Sequence, residues 1–226
     1  MMKSKKCAIC GYEFSYDNKF FESPYVQPHD DGARYYYNLW HFPIEQCPEC
    51  GYASKDVAHT FNKKIVKDEE YQYIPQIDIV QELDGARPNR VSSFLKGAHY
   101  YRSIGDELNE IKSLLQAGDM VYGELMYWED YVFDNSDPVS ALISKTQSNE
   151  IKKFGDNLIN SAMAKLESYI KTNPDDMDSQ ILYAGTLCDG DKLQEIKGAK
   201  LLSGLKNKDL NLEQKKALKF LLNHVN

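Results

Sequence analysis

Long apolar runs are missing from these 226 residues: no stretch approaches the roughly 20 apolar side chains of a membrane span, and the opening Met-Met-Lys-Ser-Lys-Lys carries charge with no apolar segment behind it. A cytoplasmic protein with neither membrane span nor secretory signal is expected. Glycine is sparse, with 13 residues never closer than five apart, which excludes the G-x-G-x-x-G phosphate cradle, and no G-x4-G-K-[ST] is present. H-E-x-x-H and G-x-S-x-G are absent, and Asp175, Asp176 and Asp178 lack the glycine and glutamate of a calcium loop. Those aspartates are expected to cap a helix after Pro174. Basic charge is also in deficit: 27 Lys and Arg against 34 Asp and Glu leave a net charge of -7, which argues against a protein built mainly to neutralise phosphates. What is present, 42% hydrophobic and 27% charged residues, suffices for a folded core.

Cysteine is scarce too, but four of the five residues are paired. Cys7-Ala-Ile-Cys10-Gly11-Tyr12 and Cys47-Pro48-Glu49-Cys50-Gly51-Tyr52 are two copies of one C-x2-C-G-Y pattern. Each pair sets two thiolates toward one ion, and the glycine after the second cysteine permits the left-handed turn that aims backbone amides at sulfur. In a reducing cytosol such pairs serve metal more readily than disulfides. Cys7, Cys10, Cys47 and Cys50 are therefore the expected metal ligands, with Zn2+ as the default ion. Iron is the competing ion, because the two knuckles also resemble those of rubredoxins, in which four thiolates hold one redox-active iron. A closed four-thiolate site leaves no open position for water or substrate, which argues against zinc catalysis.

The 36 residues 11–46 between the knuckles exceed the roughly 15–20 of common zinc ribbons. The insert is expected to fold onto the site, with an aromatic run around Tyr35, Tyr37 and Leu39 as a ribbon strand. His29, His41 and His59 read as packing or surface residues rather than ligands, with His59 on a short helix begun near Ser54. Cys188 reads as a small buried hydrophobe.

Nine of the sixteen tyrosines lie before residue 90, in a stretch with little helical period. From Phe94 onward apolar residues recur every three or four positions. Phe94, Ala98 and Tyr101 mark one helix, Leu108, Ile111, Leu115, Tyr122 and Leu125 the next, and Gly105-Asp106 divides them. Asp137-Pro138 suits another helix start, and the face of Ile151, Phe154, Leu158, Ala162, Leu166 and Tyr169 stops at Asn173-Pro174. Ile181, Ala184, Gly185 and Cys188 follow. Asp189-Gly190-Asp191 breaks the pattern before Leu193, Ile196, Ala199, Leu202 and Leu205, and Asn211 with Gln214 forms a capping box ahead of Ala217, Leu218, Leu221 and Leu222. The offsets Ala162, Leu166, Tyr169 and Pro174 echo the second helix of a tetratricopeptide repeat.

The expected fold is thus α+β and mainly α: a zinc-ribbon-like domain over residues 1–90, with a long insert between its knuckles, then TPR-like antiparallel helical repeats over 91–226. In its C-x2-C-G and C-P-x-C-G-Y-A knuckles, its aromatic approach with Asn38 and Trp40, and its Gly105-Asp106 break, the chain resembles a bacterial family catalogued as a domain of unknown function. That resemblance implies metal ligation by the four cysteines and a TPR-like tail, and no reaction. A non-enzymatic module that binds a protein or peptide partner is expected. The competing readings are iron electron transfer and nucleic-acid binding by Lys3, Lys5, Lys6 and neighbouring aromatics, the latter disfavoured by the acidic balance.

Overall fold

A computed structural model describes residues 3–16, 32, 36, 39, 43–74, 90–135 and 138–225, with backbone alone at 3, 16, 90, 123–135 and 138–147. Its chain forms two compact units: Met1–Phe21 with Pro43–Ala162, and Glu22–Phe42 with Met163–Asn226.

In the first unit β1 (Lys3–Lys6) pairs antiparallel with β2 (Glu13–Tyr16), Lys6 opposite Glu13. A shorter pair, β3 (Glu45–Gln46) and β4 (Ala53–Ser54), repeats the arrangement. Each C-x2-C sequence is therefore the loop of a hairpin. A 3-10 turn (Ile65–Lys67) and α1 (Glu69–Gln72) follow, the latter capped by Asp68, whose carboxylate accepts from Tyr71 N. Next come α2 (Arg90–Ser103) and α3 (Glu107–Asn135), packed side by side. The 35-residue α4 (Pro138–Thr172) belongs to this unit up to Ala162. α3 and α4 approach so closely that a Cβ on Gly118 would meet Ile159 Cγ1 at 2.5 Å, and one on Gly155 would meet Val121 Cγ1 at 3.0 Å. Ile44, Val57, Ile65, Val91, Ile111 and Leu115 form the core, each no more than 1% exposed.

The second unit continues α4 from Met163 and adds α5 (Met177–Cys188), α6 (Lys192–Leu205) and α7 (Leu212–His224), which pack on one another. Its helix starts obey local chemistry. Asp176 caps α5 as expected of the aspartate run, and Asn211 and Gln214 form the capping box of α7. Asp191 and Gln194 form a second box, at a place where the sequence suggested only a break. Gly32, Tyr36 and Leu39 are helical and buried, so Leu39 is not in a strand; Tyr35 and Tyr37 lie outside the described residues. A Cβ on Gly185 would collide with the Tyr36 ring, so the glycine is the seat for that tyrosine. Of the insert's described residues, Gly32, Tyr36 and Leu39 thus group with α5, while 11–16 and 43–46 stay in the knuckles' unit.

The mainly helical class with a small N-terminal β part holds. The division at residue 90 does not coincide with the compact units, because α2 and α3 pack in the knuckles' unit. α3 and α4, at 29 and 35 residues, are about twice as long as the helices that a 34-residue helix–turn–helix repeat can contain. One helix face also differs from its expectation. Leu193 and Ile196 are 79% and 58% exposed, whereas Gly198, Leu202 and Leu205 are buried. Cys188 is half-buried, its thiol pushed up to about 11 by burial and then by Asp189 and Glu195.

Candidate metal centre

The two knuckles are built alike down to their hydrogen bonds. Cys7 N donates to Tyr12 O at 2.9 Å and Gly11 N to Cys7 O at 2.9 Å; Cys47 N donates to Tyr52 O at 2.8 Å and Gly51 N to Cys47 O at 2.9 Å. Gly11 and Gly51 have φ of 76° and 71°, the left-handed conformation that a Cβ disfavours. Ala8 N donates to Val57 O at 2.9 Å, which joins the first knuckle to the segment after the second.

This pairing brings all four sulfurs within 4.8 Å of one another. Cys7 and Cys50 are 3.7 Å apart, as are Cys10 and Cys47. A tetrahedral ion with metal–sulfur bonds of about 2.3 Å requires sulfur–sulfur edges of about 3.8 Å, so the donor set fits a tetrahedral thiophilic metal. Zinc and iron both accept four thiolates in that geometry. Cys7 and Cys47 are buried, Cys50 is half-buried, and Cys10 faces solvent.

Electrostatics describe the same cluster. On Cys50 burial, the largest influence, and the three neighbouring thiols push the proton affinity well above the ordinary thiol range. On Cys7 burial acts in that sense but is outweighed by the N–H groups of Cys10 and Ile9, and the thiol falls below its ordinary value. A bound divalent cation supplies the charge that stabilises all four thiolates at once.

A framework of tyrosine hydroxyls holds the second knuckle. Tyr71 OH donates to Gly51 O at 3.0 Å and accepts from Ala53 N at 2.8 Å. Tyr101 OH accepts from Lys55 N at 2.8 Å, Tyr100 OH from Phe61 N at 3.0 Å, and Tyr52 OH donates to His59 O at 2.8 Å. Tyr52 and Tyr100 pack edge to face with centroids 5.2 Å apart. On α2, Ser93 Oγ donates to Gln46 Oε1 at 2.5 Å. Across the hairpins, Lys5 reaches Glu45 at 2.5 Å and Asp56 at 3.4 Å. Burial raises the Asp56 carboxyl, but hydrogen bonds from His59 and Ala58 N and the charge of Lys5 hold it below its ordinary value.

His59 is therefore an exposed partner of Asp56, 2.8 Å away, in a turn and not in a helix. His29 and His41, with Asn38 and Trp40, lie outside the described residues. The tyrosine framework was invisible to spacing arguments, since its bonds span 7 to 46 residues. Comparison with family models, curated proteins and solved structures finds no match to this chain.

Proposed function

We propose that this chain is a non-catalytic protein-interaction module organised by a structural zinc ion on Cys7, Cys10, Cys47 and Cys50. The observation that carries the reading is the set of four sulfurs within 4.8 Å of one another, two pairs of them 3.7 Å apart: four protein donors complete the coordination of zinc and leave no site for a reacting water. Support for recognition comes from α6, where Leu193, Ile196 and Leu201 are exposed. Large apolar side chains left exposed along one helix are what a protein partner covers. The lengths of α5, α6 and α7, 12, 14 and 13 residues, suit a TPR-like reading of the second unit.

Lys5 and Lys6 are engaged with Glu45, Asp56 and Glu13, so they offer little to a nucleic-acid backbone. Elemental analysis of purified protein is expected to find one zinc per chain and a colourless solution. One iron per chain with thiolate-to-iron colour would establish the electron-transfer reading instead. Leu193→Asp with Ile196→Asp is expected to abolish co-purification of the partner while leaving zinc content unchanged; a partner retained by that variant would sink the assignment of the surface.

A further inference from the structure

Lys96 lies on α2 against the second knuckle. Its Nζ is 3.1 Å from the point a Cβ would occupy on Gly51 and 5.7 Å from the centroid of the Tyr71 ring, whose hydroxyl holds Gly51 O. The side chain is half-buried. Among the described residues no carboxylate pairs with it, in contrast to Lys5, Lys6, Lys192 and Lys197. Burial lowers its proton affinity, and the charge that acts in the opposite sense is that of Cys50. A half-buried ammonium without a counter-charge is unfavourable, and an aromatic face compensates only in part. Four thiolates around one divalent ion carry a net charge of about -2. The unpaired cation and the excess anionic charge thus belong to the same corner of the fold.

We propose that Lys96 is the built-in counter-cation of the metal centre: α2 sets its ammonium beside the Cys50-Gly51 turn, where it offsets the negative charge of the four thiolates and strengthens metal retention. This rests on the metal reading above. It also adds a reason for glycine at position 51, because a side chain there would crowd the ammonium as well as strain the turn. Lys96 is a positioning and charge-balancing residue rather than a ligand.

The test uses the full chain as wild type and as Lys96→Gln, Lys96→Met and Lys96→Arg, titrated with Zn(II) and separately Co(II) against a chromophoric chelator, with circular dichroism to follow folding. Both neutral variants are expected to lose on the order of tenfold in affinity for both ions and to release zinc faster, while Lys96→Arg retains most of the affinity. The Co(II) absorption bands should keep their positions in all four proteins, since the donor set is unchanged. Wild-type affinity and release in both neutral variants would overturn the proposal while leaving the metal reading intact. A loss in Lys96→Arg equal to that of the neutral variants would overturn it too, since shape rather than charge would then matter. A wild-type chain that takes up neither ion would remove the metal reading and this inference with it.

Discussion

Tyr71 shows how much one hydroxyl can carry. It is 2% exposed and bridges Gly51 O and Ala53 N, the two backbone groups flanking Tyr52. Tyr71→Phe leaves the buried Ala53 N and the half-buried Gly51 O without that partner and is expected to destabilise the first unit by about 1–3 kcal/mol in urea unfolding. A loss below a few tenths would mean that water replaces the hydroxyl. Tyr101 supplies a pH signature. Burial, ahead of the charges on Tyr100, Asp106 and Asp56 and against the hydrogen bond from Lys55 N, pushes its phenol from 10.0 to about 12. The folded state therefore holds this proton more tightly than the unfolded chain. Its contribution, about 2–3 kcal/mol, is complete below pH 10 and is lost as pH rises toward 12. Tyrosinate absorbance is expected to rise cooperatively with unfolding; a simple titration near 10 would show that Tyr101 is not held this way.

At the scale of elements, helices follow local rules and their contacts do not. The α7 capping box was readable from Asn211 and Gln214 because both ends of each bond lie within one turn. The apolar repeat of α6 runs through Leu193 and Ile196, yet only its Gly198, Leu202 and Leu205 side is covered. Periodicity identifies a face without saying what packs on it. β3 and β4 have two residues each, too few for alternation to register. The α3–α4 crossing offers a test in which two effects oppose. Gly118→Ala gains about 1 kcal/mol of helix propensity, but its Cβ falls 2.5 Å from Ile159 Cγ1 and 3.3 Å from Gly155 O. Overpacking of about 1–3 kcal/mol should win, giving a lower Tm that Ile159→Ala added to Gly118→Ala partly restores. A Tm raised by Gly118→Ala alone would show that the two helices can separate at no cost.

For the whole molecule, two compact units imply unequal dependence on metal. The four cysteines all lie in the first unit, while the second is built from α5, α6, α7 and the end of α4. Apparent metal-binding energies of about 10–16 kcal/mol in zinc peptides match or exceed the entire stability of about 5–15 kcal/mol usual for a domain. Chelation is expected to collapse the near-ultraviolet signal of Tyr52, Tyr71 and Tyr101 while most helical ellipticity of the second unit persists. Identical unfolding curves with and without chelator would count against a structural ion.

What the sequence determined by itself was everything decided within about one helical turn: two C-x2-C-G knuckles, helix periods from Phe94 onward, the Asn173-Pro174 stop and the Asn211 cap. Such features depend on backbone torsions and neighbours three or four residues apart, and those are written in order along the chain. Only the tertiary structure decided that α2 belongs with the knuckles and that Gly32, Tyr36 and Leu39 join the second unit as helical residues. The choice of Tyr71, Tyr100 and Tyr101 from sixteen tyrosines was of the same kind. The physical reason is the range of the interactions. Tyr101 meets Lys55 across 46 residues, and Lys96 meets Gly51 across a comparable separation, so each partnership depends on the path of the intervening chain and on which faces are already covered.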